Sequence, residues 1–129
     1  MHFKVSTSRI ERDGFLVSVE AELDLFTAEQ VERSAEPAIL ARRPLLLDLS
    51  QCPFIDSTGL RLVLKIHEDL AKGEDPGAPM AVIAASEVRE FFALTAIDLS
   101  VPVFLDREEA LASLEDAHRG DALTGERRR

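Results

Sequence analysis

Residues 44–73 read PLLLDLSQCPFIDSTGLRLVLKIHEDLAKG, and the way this stretch divides decides the fold. Its first part, Pro44 to Ser50, is short and apolar at consecutive positions. That is the pattern of a strand buried on both faces, hence a central one. Its last part repeats apolar residues at helical spacing from about Thr58 to Lys72, and Gly73 is a natural stop. Between them, Asp56-Ser57-Thr58-Gly59 sets a carboxylate and two hydroxyls where a strand hands over to a helix.

The rest of the chain repeats this alternation. HFKVSTSRIERDG and FLVSVEAEL read as two strands joined by a tight hairpin at Asp13-Gly14, with Phe15, Val17, Val19 and Ala21 on one face. A helix follows, opened by a capping-box pattern of Thr27 with Gln30. Pro37 lies inside it, where a kink or break is expected. KGEDPGAP is a loop and MAVIAA a second buried strand. SEVREFFALTAI reads as a helix capped by Ser86, with Val88, Phe91 and Phe92 inward. Pro102 restricts VPVF to a sheet edge, and Asp106 with Glu109 opens a last helix. The order β-β-α-β-α-β-α-β-α predicts an α/β fold: a small mixed sheet, hairpin first and parallel strands after, with about four helices packed mainly on one side.

The 129 residues suit one domain, expected over 1–116, with 117–129 as a disordered tail. That tail holds four Arg against one Asp and one Glu, so it carries +2 and leaves −11 on the rest of a chain of net charge −9. Phosphate backbones and anionic lipid would repel such a body, which argues against nucleic acid and bare membrane as partners. No apolar run reaches the length of a membrane span. The first residues lack the layout of a signal peptide, so a cytoplasmic location is the expectation. The lone Cys52 reads as a small apolar filler.

Catalytic chemistry finds little to work with. Ser57 does not lie in a Gly-x-Ser-x-Gly elbow. His67 lies too far along the helix from Ser57 to act as its base, and His2 and His118 fall near the chain ends. No metal-ligand spacing or Gly-rich phosphate loop occurs. Glu20, Glu22 and Asp24 form a period-two acidic row that reads as a solvated face. A two-component receiver is excluded by the lack of a lysine near the later strands. For Ser57 two readings stand. It is a plain helix N-cap, or it is a phosphorylation site. The positive end of the helix tolerates a phosphate, so about −1.5 to −2 charges can be added without unfolding the chain.

LLLDLSQCPFIDSTGLRLVLKIHEDL resembles the signature of the STAS family, and within it the bacterial anti-sigma factor antagonists. Asp-Ser-Thr-Gly-Leu at 56–60 follows an apolar pair, and the upstream Ala21-Glu22-Leu23-Asp24-Leu25-Phe26-Thr27-Ala28 is similar to the family's second motif, with Ala21 where Gly is usual. The resemblance covers about residues 3–115. It implies a non-enzymatic binding module with no cofactor of its own. Its partner would be an anti-sigma factor that is also a Ser/Thr kinase, which phosphorylates Ser57 and is thereby released. A PP2C-type phosphatase would reverse this. The partner-binding residues implied are Asp24, Thr27, Asp56, Ser57, Thr58, Gly59, Leu60 and Arg61, with Leu60 equally open to a place in the core. A monomer or weak dimer fits, and a STAS module serving another assembly is the alternative.

Overall fold

The computed structural model describes residues 5–72 and 77–127, with side chains described up to residue 117. Gly73, His2 and the terminal Arg128 and Arg129 lie outside those residues, as does the side chain of His118. Five strands form one sheet in sequence order: β1 Val5–Ile10, β2 Gly14–Val19, β3 Leu45–Leu49, β4 Met80–Ala84 and β5 Val103–Phe104. The first pair is antiparallel and every later pair parallel. The helices are α1 Ala28–Ala41, α2 Ser57–Ala71, α3 Ser86–Leu94 and α4 Arg107–Arg127. The mixed α/β sheet with four helices is the expected architecture.

Strand alternation explains how β3 and β4 are buried twice. Leu45, Leu47, Leu49, Met80, Val82 and Ala84 face one cluster, built with Val31 of α1, Val63 and Ile66 of α2, and Phe92 of α3. Leu46, Ala81 and Ile83 point the other way, onto Ala110 and Leu114 of α4. Three helices therefore cover one face and one covers the other. The short β5 closes the edge, with Pro102 supplying its carbonyl to Val82 N.

Several local expectations are corrected. The hairpin turns one residue earlier than Asp13-Gly14: Arg12 and Asp13 carry the positive φ, and Gly14 already pairs with Ile10. A Cβ on Gly14 would come within 2.8 Å of Ile10, so the glycine is needed for approach. Pro37 does not break α1, because Val31, Ala35 and Ala38 anchor the helix on both sides of it. α3 stops at Leu94, where Thr95 Oγ1 donates to Phe91 O and Ala96 turns left-handed. Its cap position is Ala85, so Ser86 is the first helical residue and caps nothing. Phe91 is only half-buried, unlike Val88 and Phe92. Asp106 does open α4, accepting from Glu108 N at 2.8 Å. The backbone of α4 runs from Arg107 to Arg127, since extending a formed helix costs far less than starting one.

Candidate functional site

Two loops distant in sequence are fastened together at one end of the sheet. Leu23 N donates to Phe54 O at 2.9 Å, and Asp56 N donates to Leu23 O at 3.2 Å, so Leu23 and Ile55 form a single parallel bridge. Both side chains are buried. Gly59, in the first turn of α2, lies directly under this bridge. A Cβ there would stand 2.5 Å from Leu23 O and 2.7 Å from Ile55. The helix can approach the loop this closely only because residue 59 has no side chain.

The bridge also decides which residue caps α2. It holds Asp56 extended, at φ −104 and ψ −174, and Asp56 Oδ1 accepts from Gly59 N at 2.9 Å. Ser57 is therefore the first helical residue, not the cap that the plain reading made it. Its side chain is exposed and, among the described residues, its hydroxyl has no hydrogen-bond partner in the chain. Helix geometry leaves the amides of Ser57 and Thr58 without intrahelical acceptors, at the positive end of a 15-residue helix.

The upstream loop is braced in the same manner. Asp24 Oδ1 accepts from Phe26 N at 2.9 Å and Thr27 N at 3.2 Å. Thr27 Oγ1 accepts from Asp24 N at 3.0 Å and donates to Glu22 O at 2.7 Å. Thr27 thus turns its hydroxyl back to the loop and does not cap α1. With its polar groups turned inward, the loop pushes Leu25 and Phe26 into solvent at 66% and 80% exposure. Phe54 is exposed beside the bridge. Pro53, Phe54 and Ile55 then meet Val88, Phe91 and Leu94 of α3 across a groove of about 370 Å³, rimmed by Glu87 and Glu90.

The eight residues named from the sequence divide accordingly. Ser57 and Arg61 are exposed, and Asp24, Asp56 and Thr58 are half-buried at the surface. Leu60, 6% exposed, belongs to the core, because the first turn of α2 presses that side onto the sheet. Thr27, 3% exposed, and Gly59 shape the site from beneath. Leu25, Phe26, Phe54 and Leu94 are surface residues that the motif reading passed over. The sequence signal was an apolar pair, Leu25-Phe26, in a loop directly before a helix.

Other groups stay structural. Cys52 is buried, its thiol 3.2 Å from Phe54 O, and burial pushes that thiol up despite the backbone hydrogen bonds. His67 is half-buried on α2, ten residues or about 15 Å beyond Ser57. Among the described residues no group of three or more potential ligands could hold a metal ion. Nor is any described helix long and apolar enough to cross a membrane.

The STAS domain family model matches residues 5–110. Among solved structures, an anti-sigma factor antagonist from Mycobacterium paratuberculosis is 26% identical, with a TM-score of 0.77 over 89% of this chain and 96% of that one. The phosphorylated form of the Bacillus cell fate determinant SpoIIAA shares the fold at 20% identity and a TM-score of 0.61, over 86% of this chain and 99% of that one. The murine anion transporter Slc26a9 contains a similar fold at 13% identity and a TM-score of 0.57, matching 88% of this chain but 22% of the transporter. With the five-stranded mixed sheet and the Asp-Ser-Thr-Gly helix mouth in place, the chain belongs to the STAS domain family.

Proposed function

We propose that this chain is an anti-sigma factor antagonist, a cytoplasmic binding module that docks through the mouth of α2 onto an anti-sigma factor Ser/Thr kinase and is released when Ser57 is phosphorylated. The observation that carries this reading is the state of Ser57. Asp56 performs the capping, so the Ser57 hydroxyl has no structural task and stands open to solvent. Around it, Leu25, Phe26 and Phe54 offer apolar area of the kind that anchors an interface. ATP and magnesium belong to the kinase. A PP2C-type phosphatase would return the chain to its binding form.

Phosphate at Ser57 leaves the fold intact, because the helix N-terminus favours negative charge there. It acts on the complex. A dianion beside the Asp56 carboxylate has to be stripped of water to enter an interface, and it repels any acidic group opposite it. A change of about 3 kcal/mol in the interface shifts affinity by about two orders of magnitude.

The test is direct. Phosphopeptide mass spectrometry on protein from its own cells, with fragment ions separating Ser57 from Ser50 and Thr58, should find phosphate on Ser57. Ser57→Ala should retain the kinase under conditions where Ser57→Asp loses it. Equal retention by the two variants defeats the switch. The similarity to a domain within an anion transporter supports a second reading, a STAS module of another assembly with no phospho-switch. Capture of a membrane complex by both variants alike would favour that reading.

A further inference from the structure

A second cavity lies at the opposite end of the sheet, on the opposite face. α4 packs on β3, β4 and β5, and the hairpin of β1 and β2 extends beyond it. The cleft between them encloses about 560 Å³ and is lined by Arg9, Ile10, Glu11, Arg12, Pro44, Arg107, Leu111, Leu114 and Glu115. Pro44 precedes β3, whereas Ser57 follows its far end, so the length of a five-residue strand, about 16 Å, separates the two sites along the sheet.

The lining combines two chemistries. Ile10, Pro44, Leu111 and Leu114 form an apolar floor that continues the second core cluster, and Ile10 and Leu111 are only partly buried. Three arginines stand against two glutamates, a positive balance in a chain of net charge −9. Arg9 is already committed: it lies 4.3 Å over the Phe15 ring and donates to the carbonyls of Asp13 and Gly14. Arg12 and Arg107 form no ion pair among the described residues. Arg107 also stands at the N-terminus of the 21-residue α4, where the backbone adds positive potential. Arg107, Leu111, Leu114 and Glu115 share one helix face, which gives the cavity one wall with a cation at its mouth.

We propose that this cavity binds a small amphipathic anion, its apolar body on Ile10, Pro44, Leu111 and Leu114 and its carboxylate or phosphate between Arg12 and Arg107. The volume falls within the range of small-molecule sites, and a few polar groups over an apolar floor is their usual composition. The occupant is a free molecule in solution, since the acidic body opposes an anionic bilayer.

Titration of the full chain with decanoate, followed through backbone amide shifts, tests this, with decanol as the uncharged counterpart. Saturable shifts at Ile10 to Arg12 and Arg107 to Glu115 are expected. Decanol should bind at least about tenfold more weakly, as should decanoate to the Arg12→Gln/Arg107→Gln double variant. Both arginines are exposed, so this variant should fold normally. Unchanged affinity in the double variant, equal binding of decanol, or shifts centred on Phe26, Phe54 and Leu94 would overturn the proposal. Cosedimentation with phosphatidylglycerol vesicles, lost in the double variant, would overturn the soluble ligand in favour of a membrane surface.

Discussion

Asp56, Ser57 and Gly59 lie within four residues and do three different jobs. Asp56 satisfies the Gly59 amide, so Asp56→Ala should lower stability by about 1 kcal/mol. Ser57→Ala removes no hydrogen bond within the described structure and should stay within about 0.5 kcal/mol of the parent. Urea unfolding of the two variants side by side checks this assignment, and reversed magnitudes would return the cap to Ser57. Gly59→Ala drives a methyl to 2.5 Å from a backbone carbonyl, and overpacking of this kind costs about 1–3 kcal/mol. A thermal midpoint equal to the parent's would mean that the Leu23 loop yields. Cys52, two residues before Phe54, should resist a disulfide reagent in the native state and react on unfolding. Its raised folded pKa means that the stability linked to the neutral thiol is fully present below the ordinary thiol pKa and is lost as pH rises through the folded value. Cys52→Ala should therefore lose less stability than the parent in alkaline urea titrations.

At the scale of elements, the site is a junction of a loop, a strand end and a helix, and Leu23 fastens it. Its side chain is fully buried and its backbone bonds both ends of the 54–56 segment. Leu23→Ala should cost about 2–5 kcal/mol, and hydrogen exchange should show faster opening at Asp56 and Gly59 than at β3. Charge added to the first turn of α2 behaves oppositely. Ser57→Asp should leave the thermal midpoint unchanged or raise it by the equivalent of about 0.3–1 kcal/mol, because the macrodipole favours an anion there. A marked fall would mean that the proposed phosphorylation would act by unfolding α2 and not through the interface.

Across the whole molecule, charge and apolar area govern different rates. Phe26 and Phe54 are exposed, so Phe26→Ala/Phe54→Ala should weaken the proposed complex with a kinase by about 2 kcal/mol or more with the unfolding curve little changed. Calorimetric titration against the kinase measures the first and circular dichroism the second. The acidic body, with Glu87 and Glu90 on the groove rim, suits a basic partner surface. Association should slow as salt rises while dissociation changes little, because screening acts on encounter and not on the buried contact.

The elements were legible because their signals are local. Leu45, Leu46 and Leu47 are apolar at consecutive positions, which a strand covered on both faces requires, and the spacing of Val63, Ile66 and Leu70 leaves α2 one inward face. Pro102 named the sheet edge, and the Asp-Ser-Thr-Gly motif named the family. The division of labour within that motif was not legible. Asp56 and Ser57 are both good caps, and nothing in their order chooses between them. The choice is made by Leu23, more than thirty residues upstream, whose carbonyl fixes the Asp56 amide and so starts the helix one residue earlier, at Ser57. Thr27 lost its capping role to bonds within its own loop, with Glu22 and Asp24. Leu60 went to the core because α2 turns that side into the cluster it shares with β3 and α1, and Phe26 went to solvent because the Asp24 turn closes beneath it. Periodicity along a chain specifies which residues need burial. Which polar atoms meet, and which apolar ones are left over for a partner, is settled only when segments far apart in sequence compete for the same space.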